Sequence, residues 1–363
     1  MQRRAFVHRA AATAAAGAAA AIAAPALAQT GLPEIRWRLA SSFPKSLDVL
    51  FGTADNLTKR VSDATGGRFQ IRAFAGGEIV PALGVADAVQ QGTVEMGHTA
   101  SYYYVGKNPA FAIDCTLPFG MNSRMQAAWM YHGGGLALMR EFFKEFGIVN
   151  LPAGNTGAQM GGWFRKEVKS LADFKGLKMR IPGFGGRLFA ALGAIPQNVP
   201  PAEIYQALER GSIDAVEFVG PHDDEKLGFV KVAKFYYYPG FWEPGPALSL
   251  YVNQKSWDGL PKEYRAILEA AAAEANINMQ AEYDAKNPAA LQRLVNGGAQ
   301  LRAYPRDAMQ QAYKAALDIY ADERKKVPQF GKIFESWDKF RADQVRWFRV
   351  AEGPLDNFMF SQK

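Results

Sequence analysis

The chain has 363 residues, of which 42 are basic, 35 are acidic and 48% are hydrophobic. This length is enough for two lobes with cores of their own, and the small basic excess, without a dense Lys/Arg run, disfavours nucleic acid as a partner. The single cysteine, Cys115, excludes an internal disulfide and a cysteine metal cluster, and its apolar surroundings predict a buried small side chain.

The first segment, residues 1–28, predicts a cleavable export signal. Three arginines among the first nine residues precede residues 10–28, which are almost all small and apolar and end in Ala26-Leu27-Ala28. The alternative is an uncleaved membrane helix, which this short, alanine-rich run disfavours. Arg3-Arg4 is typical of twin-arginine export, and a basic Sec signal has similar features. We therefore expect a periplasmic protein and leave the export route open.

The first third of the mature chain alternates between strand and helix patterns. Apolar residues recur with period 2 in three segments and at helical spacing in the two segments between them. The predicted elements are a strand at 34–40, a helix at 47–61, a strand at 69–73, a helix at 81–91 and a strand at 94–100. This β-α-β-α-β order predicts an open sheet with parallel pairings.

The middle of the chain continues the alternation, so a second α/β lobe is expected. A helical pattern at 124–146 is interrupted by three consecutive glycines, and two further helices are predicted at 184–192 and 201–210. The predicted strands are 148–153, 159–164, 176–181, 214–219, 234–238 and 247–252.

The last third is predominantly helical. Residues 261–296 have the composition of one helix that is long enough to brace two lobes, and Asn287-Pro288 predicts a kink or a break within it. A short strand at 299–303 and a helix at 305–326 follow. The helix predicted at 330–348 is rich in aromatic residues, which either cover the core or pack on a second subunit.

Two charged residues stand at the ends of predicted neighbouring strands. Arg180 follows an alternating strand pattern and precedes a loop, which is where ligands bind in open α/β sheets. Its guanidinium matches both oxygens of a carboxylate. Glu217 shares its strand face with apolar residues, and a buried acid must be paired or bound to a metal. The alternatives are a surface salt bridge for Arg180, and for Glu217 a pairing with Arg180 or Lys178 alone.

Three segments carry a resemblance to a known family. They are RFQIRAFAGGEIVPALGVADAVQQGTVEMGHTASYYY at 68–104, SLADFKGLKMRIPGFGGRLFAALGAIP at 170–196 and AEIYQALERGSIDAVE at 202–217. These segments resemble the solute-binding proteins of TRAP transporters, the tripartite ATP-independent periplasmic carriers. The resemblance covers most of the mature chain. It is strongest to the branch that binds 2-oxo and 2-hydroxy monocarboxylates such as pyruvate and lactate.

The resemblance implies a two-lobed, periplasmic-binding-protein-like α/β fold with a long lobe-spanning helix. The chain would cross between lobes, so that each lobe contains two stretches of sequence. Lobe I would comprise 29–153 and 243–283, and lobe II 154–242 and 284–329. A helical segment at 330–363 would remain, and it would form a homodimer contact. The receptor would capture a small carboxylate and deliver it to the membrane subunits of the carrier.

The resemblance also implies a set of ligand-binding residues. Arg180 matches the arginine that binds the ligand carboxylate. Gln159 and Glu217 match the side chains that hold a cation, Na⁺ or Ca²⁺, beside the ligand. The backbone carbonyl of Phe218 would add a further oxygen, and Glu243 would complete the shell. Oxygen donors of this kind suit hard cations.

Five more residues are candidates for contact with the ligand. Tyr102 and Tyr103 follow a strand of the first lobe, where a hydroxyl can reach into the cleft. Asn155 offers an amide donor, and Phe184 and Trp242 offer apolar walls for a short alkyl group. The alternatives are ordinary packing for the aromatic residues and a turn role for Asn155.

Two other functions remain open. The same fold would bind a dicarboxylate, a sugar acid or an aromatic acid instead, and a second basic side chain in the pocket, Lys178 or Arg187, would favour a diacid. An exported metal-dependent enzyme would use Glu217 and a bound ion, but we find no general acid or base beside these residues. The acidic segment at 222–226 is interpreted as a solvated helix start rather than a metal cluster.

Overall fold

The computed structural model describes residues 31–362, so the predicted export signal lies outside the described residues. Eleven strands form two sheets, of five and six strands, in this part of the chain. The helices between residues 31 and 362 are too short or too polar to cross a bilayer. We call the five-stranded sheet with its helices lobe I and the six-stranded sheet with its helices lobe II. The sequence-based residue ranges of the lobes remain predictions.

The sheet of lobe I has the strand order β2-β1-β3-β10-β4. Its strands are β1 (Ile35–Ser41), β2 (Phe69–Phe74), β3 (Met96–Thr99), β4 (Ile148–Asn155) and β10 (Ala247–Asn253). β1 runs parallel to β2 and β3, as the alternating pattern predicted. β10 runs antiparallel between β3 and β4, so a late segment of the chain returns to complete the first sheet.

The sheet of lobe II has the strand order β11-β9-β5-β8-β6-β7. Its strands are β5 (Trp163–Phe164), β6 (Lys178–Arg180), β7 (Ile195–Gln197), β8 (Ala215–Val216), β9 (Phe235–Tyr238) and β11 (Gln300–Ala303). β5 and β8 are shorter than predicted because the chain leaves the sheet beside them. At Gly162 φ is +88° and a Cβ atom would lie 2.5 Å from the Val216 carbonyl oxygen, so only glycine fits this departure.

Helices cover both sheets and extend beyond them. The α-helices are α1 (Leu50–Ala64), α2 (Val85–Gln90), α3 (Phe111–Cys115), α4 (Ser123–His132), α5 (Gly135–Lys144), α6 (Gly183–Ala191), α7 (Ile204–Glu209), α8 (Pro221–Leu227), α9 (Gln254–Asp258), α10 (Lys262–Asn296), α11 (Arg306–Lys326), α12 (Pro328–Ala351) and α13 (Gly353–Ser361). Short 3₁₀ turns occupy Ser101–Tyr104, Leu171–Phe174, Pro201–Glu203 and Phe229–Lys231. Cys115 is buried and free, as predicted.

The long helix α10 packs against both lobes. It contacts α1 and β4 of lobe I, and Tyr283, Asn287 and Arg293 in its second half contact α8 of lobe II. Of the kink or break predicted at Asn287-Pro288, the break is wrong, because the helix continues through Pro288; the kink stays a prediction. Proline removes the hydrogen bond to the carbonyl of Asp284, but that residue is exposed and water can satisfy its carbonyl.

The acidic segment at 222–226 forms the start of a helix, α8, but it is not solvated as predicted. Asp223 and Asp224 are 0% and 1% exposed. Asp224 accepts hydrogen bonds from the Trp163 indole at 2.9 Å and from the Tyr236 hydroxyl at 2.6 Å, and Asp223 accepts one from Tyr283 at 2.6 Å. Charge pattern alone missed this burial, because the aromatic donors come from distant parts of the sequence.

The burial of Asp224 predicts a pH-dependent contribution to stability. Burial raises its pKa from 3.8 to about 7, so the folded state holds a proton that the unfolded state releases above its lower pKa. The contribution of Asp224 to the free energy of unfolding therefore falls by up to about 1.4 kcal/mol per pH unit as the pH rises from 3.8 to about 7. We expect Asp224→Asn, whose amide oxygen can accept both bonds, to gain stability relative to the parent between pH 5 and 8.

Urea unfolding of the variant and the parent at both pH values measures this difference. The exposed Asp322, replaced by asparagine, serves as the control. An equal stability difference between Asp224→Asn and the parent at pH 5 and pH 8 would contradict the assignment.

Candidate functional site

The site lies where the chain crosses between the two sheets. One crossing leaves β4 at Asn155 and the other enters β10 at Ala247, and these two residues are paired in the sheet of lobe I. The Asn155 amide nitrogen donates to the Gly245 carbonyl at 3.1 Å, and its oxygen accepts from the Gly157 backbone at 2.8 Å. The Asn155 side chain therefore ties the two crossings together through its amide nitrogen, while its amide oxygen orders the turn of its own crossing.

Arg180 and Glu217 meet at the carboxyl ends of the adjacent parallel strands β6 and β8. Arg180 Nη1 donates to Glu217 Oε1 and, at 2.7 Å, to the Glu217 backbone carbonyl. The Arg180 Nε atom donates to the Val199 carbonyl at 3.3 Å. The two side chains are 1% and 0% exposed. The structure therefore brings together the two charges that the sequence singled out.

The ion pair leaves polar atoms without a protein partner. Arg180 Nη2, Glu217 Oε2 and the Trp242 indole nitrogen are buried and make no hydrogen bond to residues 31–362. Buried polar groups are almost always hydrogen-bonded. Two donors and one acceptor that remain free in one buried cluster are the arrangement expected of a site that binds a polar ligand.

A second group of oxygens converges beside this pair. The Gln159 amide oxygen lies 2.8 Å from the Phe218 backbone carbonyl oxygen and 3.1 Å from Glu243 Oε2. The Gln159 amide nitrogen points the other way and donates to Thr156 Oγ1 at 3.0 Å. Rotating the amide would turn these contacts into hydrogen bonds. A cation between the three oxygens satisfies them without that rotation, and oxygen-only shells suit Na⁺ and Ca²⁺.

The electrostatics of the cluster favour added positive charge. Burial raises the pKa of Glu217, and the positive charge of Arg180 offsets only part of that rise. Burial, together with the charge of Glu217, raises the pKa of Glu243 well above its usual range. Two buried carboxyl groups therefore share one guanidinium, and a bound cation would let both stay ionised.

A narrow cavity between the lobes reaches this cluster at Gln159 and Phe218. Tyr102 and Tyr103, on the 3₁₀ turn after β3, line it from lobe I, and Gln159 and Phe218 line it from the opposite side. The Tyr102 hydroxyl donates to Glu243 Oε2 at 3.4 Å. The remaining lining residues are Phe43, Leu50, Ala100, Thr156, Val219, Pro246 and Leu248. The cavity therefore has an apolar wall opposite its polar end.

The two predicted aromatic walls, Phe184 and Trp242, are not among the residues that line this cavity. Phe184 does not line the cavity, because its ring packs against Phe330 and Tyr320 at 5.7 and 6.0 Å between centroids. The Trp242 ring packs against Phe189 and Phe241. Its indole N–H lies close enough to Glu217 to oppose the rise in the pKa of that carboxyl group. Both residues were chosen from composition, which does not distinguish a pocket wall from a core position.

Several contributors to the site were not predicted. The Val199 carbonyl and the Thr156 hydroxyl orient Arg180 and Gln159. Thr156 directly follows Asn155 in the crossing segment, so its position next to a predicted site residue was an available signal. The apolar lining from lobe I had no such signal, because those residues have the same pattern as the core.

Comparison with known proteins identifies the family. Residues 40–326 match the DctP family, described as bacterial extracellular solute-binding protein, family 7. A monocarboxylate 2-oxoacid-binding periplasmic protein of Nostoc sp. is 52% identical over 335 residues, which are 92% of each chain.

Solved structures agree with this assignment. A TRAP transporter solute-binding protein of Bordetella bronchiseptica is 50% identical, has a TM-score of 0.90 and covers 91% of this chain and 98% of its own. It is a mixed-occupancy dimer in which one site holds copurified calcium and picolinate and the other is empty. A homologue from Pseudoalteromonas atlantica, with bound sodium and pyruvate, is 39% identical, has a TM-score of 0.87 and covers 91% of this chain and 100% of its own.

These matches confirm the resemblance and the two-lobed α/β fold that the sequence predicted. The chain therefore belongs to the DctP family of bacterial extracellular solute-binding proteins, the receptors of TRAP transporters.

Proposed function

We propose that this protein is a periplasmic receptor that captures a small 2-oxo or 2-hydroxy monocarboxylate together with a cation and delivers it to the membrane subunits of a TRAP carrier. The observation that carries the proposal is the buried pair of Arg180 and Glu217, whose Nη2 and Oε2 atoms have no partner among the described residues, with the Gln159 amide, the Phe218 carbonyl and the Glu243 carboxylate converging beside it. The similar proteins that hold calcium with picolinate or sodium with pyruvate support it.

Arg180 would bind the ligand carboxylate. Its Nη1 is occupied by Glu217, whereas its Nη2 is buried and free of protein partners among the described residues. A ligand oxygen at Nη2 would make a charge-assisted hydrogen bond in a dry environment, where such bonds are strong. The centre of the Phe218 ring lies 5.5 Å from the guanidinium carbon, within the range of a cation–π contact.

The cation would recognise the ligand by the oxygen at its second carbon atom. A 2-oxo or 2-hydroxy acid presents a carboxylate oxygen and a neighbouring oxygen that chelate one ion, whereas a plain fatty acid lacks the second donor.

The formal charges of the site also favour a bound cation. Arg180, Glu217, Glu243 and a monocarboxylate sum to −2 when ionised, and one Ca²⁺ brings this to zero. Na⁺ also accepts the same oxygen donors, and it brings the sum to −1.

The geometry favours a monocarboxylate over a diacid. Lys178 is exposed, and Arg187 makes an ion pair with Glu323 at 2.6 Å. Lys178 reaches solvent and the charge of Arg187 is already paired, so neither offers a free buried cation beside Arg180. The two residues that would have indicated a second carboxylate therefore give no support for one.

The family consists of solute-binding receptors, and we propose that this member has no catalytic activity of its own. The charged groups of the site are committed to the ion pair and to the oxygen cluster, so a general base beside the ligand is not provided. Incubation with pyruvate or lactate, followed by analysis for products, tests this, and turnover would contradict it.

The proposed export by a cleaved signal at residues 1–28 is tested by the N-terminal sequence of the mature protein.

We further propose that the C-terminal helices pair two subunits. Beyond Trp337, which is buried, α12 and α13 expose a run of large apolar side chains. Its most exposed members are Trp347, Val350, Leu355, Phe358 and Phe360, at 61%, 74%, 61%, 60% and 85%. Exposed apolar surface of this kind marks an interaction site, and the similar Bordetella bronchiseptica structure is a dimer.

Cation removal tests the proposed function. We expect pyruvate to bind tightly in the presence of Ca²⁺ or Na⁺ and at least about tenfold more weakly after chelation in sodium-free buffer, because the ligand loses its chelated ion. Calorimetric titration of protein unfolded, stripped and refolded under each condition measures this. Propionate, which lacks the 2-oxo group, is the matched control ligand.

We expect propionate to bind more weakly than pyruvate and to lose little affinity when the cation is removed. Equal affinity for pyruvate with and without the cation would contradict a bridging ion. Equal affinity for pyruvate and propionate would contradict recognition of the 2-oxo group.

A further inference from the structure

A carboxylate outside the ligand site bridges the two lobes. Asp48 lies in lobe I, between β1 and α1. Its oxygens contact His222 Nε2 at 2.9 Å, Lys226 Nζ at 3.2 Å and Lys286 Nζ at 3.1 Å. All three partners lie on the lobe II side, on α8 and on the second half of α10. One acidic side chain therefore connects lobe I to three nitrogen-bearing groups across the cleft.

Helix α8 is firmly attached to the second half of α10. Besides the bond from Tyr283 to Asp223, the His222 backbone N–H donates to Asn287 Oδ1 at 3.1 Å, and Arg293 forms an ion pair with Glu225 at 2.7 Å. These contacts make α8 and this part of α10 one unit. A hinge motion that opens the cleft would leave this unit with lobe II, so it would break the contacts of Asp48 and keep the others.

The same helix is directly connected to the proposed ligand site. β8 ends at Val216, Glu217 and Phe218 contribute to the site, and α8 begins at Pro221. Only Val219 and Gly220 separate the oxygen cluster from the helix that contacts Asp48. The partners of Asp48 are therefore held at a fixed position relative to the ligand.

We propose that Asp48 acts as an interlobe latch that holds the closed form and so sets how long the ligand stays bound. The proposal rests on the proposed function, because a latch matters only if the cleft closes over a ligand. Hydrogen bonds from the three partners outweigh the effect of partial burial and keep the pKa of Asp48 below its usual range. Asp48 is therefore ionised at neutral pH and can attract the lobe II cations.

The cluster does not need a metal ion to be stable. One oxygen each of Asp48 and Asp223 and a nitrogen of His222 lie within 4.8 Å of one another, a spacing that a metal ion can bridge. Lys226 and Lys286 already neutralise the Asp48 carboxylate at hydrogen-bonding distance. A latch between opposite charges accounts for the whole set of contacts.

Substitution of Asp48 tests the latch through ligand release. We expect Asp48→Asn to increase the dissociation rate of pyruvate by about three- to tenfold at saturating Ca²⁺, with little change in the association rate, because an exposed ion-pair cluster contributes modestly and only the closed form contains it. Stopped-flow tryptophan fluorescence measures both rates. Lys286→Met removes a partner from the opposite lobe and should act in the same direction.

The matched control is Asp63→Asn, because Asp63 pairs with Lys59 within the same helix of lobe I. We expect its release rate to equal that of the parent. If Asp48→Asn and Lys286→Met both release pyruvate at the parental rate, the latch is refuted while the proposed function stands. If the parent itself binds no 2-oxo acid with Ca²⁺ or Na⁺, the proposed function fails and the latch falls with it.

Discussion

Replacing Arg180 with alanine is expected to cause a large loss of pyruvate affinity. The substitution removes the only guanidinium that we find in the buried cluster of the described residues, together with the free Nη2 donor that would meet the ligand carboxylate. A hydrogen bond to a charged group contributes about 1.5–3 kcal/mol, so loss of the bond from Nη2 alone should lower the affinity by about 10- to 150-fold. Calorimetric titration with pyruvate at saturating Ca²⁺ measures this loss.

The Arg180→Ala protein must be shown to be folded, because the substitution also leaves the buried carboxylate of Glu217 without its ion-pair partner. Breaking a buried ion pair costs about 3–5 kcal/mol, so circular dichroism and a thermal melt accompany the titration. Arg180→Lys keeps a positive charge and should also bind pyruvate poorly, since an ammonium group cannot reproduce the planar set of N–H donors of the guanidinium. Arg187→Ala, which breaks an ion pair outside the cavity, is the control. Parental affinity in folded Arg180→Ala would show that the ligand carboxylate binds elsewhere.

The second large effect is expected for Glu217→Gln. In this variant the amide oxygen can still accept from Arg180, but the negative charge beside the oxygen cluster is lost. We expect cation affinity to fall by about 10- to 100-fold and pyruvate affinity to fall with it, since one ion would contact both the protein and the ligand. Titration of Ca²⁺ and of pyruvate, each in the presence of the other, measures the coupling.

The control for Glu217→Gln is Glu225→Gln, which weakens an exposed ion pair with Arg293 at the surface of lobe II. That variant should bind Ca²⁺ and pyruvate as the parent does. A Glu217→Gln protein that binds pyruvate weakly but Ca²⁺ normally would limit Glu217 to the role of orienting Arg180. Normal binding of both would remove Glu217 from the site.

The fold was largely predictable because its signals are local. Alternating and helical patterns located the strands of lobe I, and they placed Arg180 and Glu217 at the ends of neighbouring strands, where β6 and β8 do lie side by side. The continuity of α10 through Pro288 was not predictable, because it depends on which carbonyl faces water. The burial of Asp223 depends likewise on a tyrosine sixty residues away.

The site was less predictable where residue type is ambiguous. Gln159 and Glu243 came from the family resemblance, and no local pattern brings them within 3.1 Å of each other. Phe184 and Trp242 have the composition of either a pocket wall or a core. The Phe184 ring packs in the core against Phe330, whereas the Trp242 N–H lies beside Glu217. Asp48 gave no sequence signal, because a latch is defined only by what lies across the cleft.

A crystal structure of the protein grown with pyruvate and Ca²⁺ tests the central claim most directly. We expect one pyruvate between the lobes, with a carboxylate oxygen within hydrogen-bonding distance of Arg180 Nη2. We expect one ion that contacts the carboxylate and keto oxygens of pyruvate together with the Gln159 amide oxygen and the Phe218 carbonyl. Pyruvate bound away from Arg180, or bound there with no ion between it and the oxygen cluster, would contradict the account.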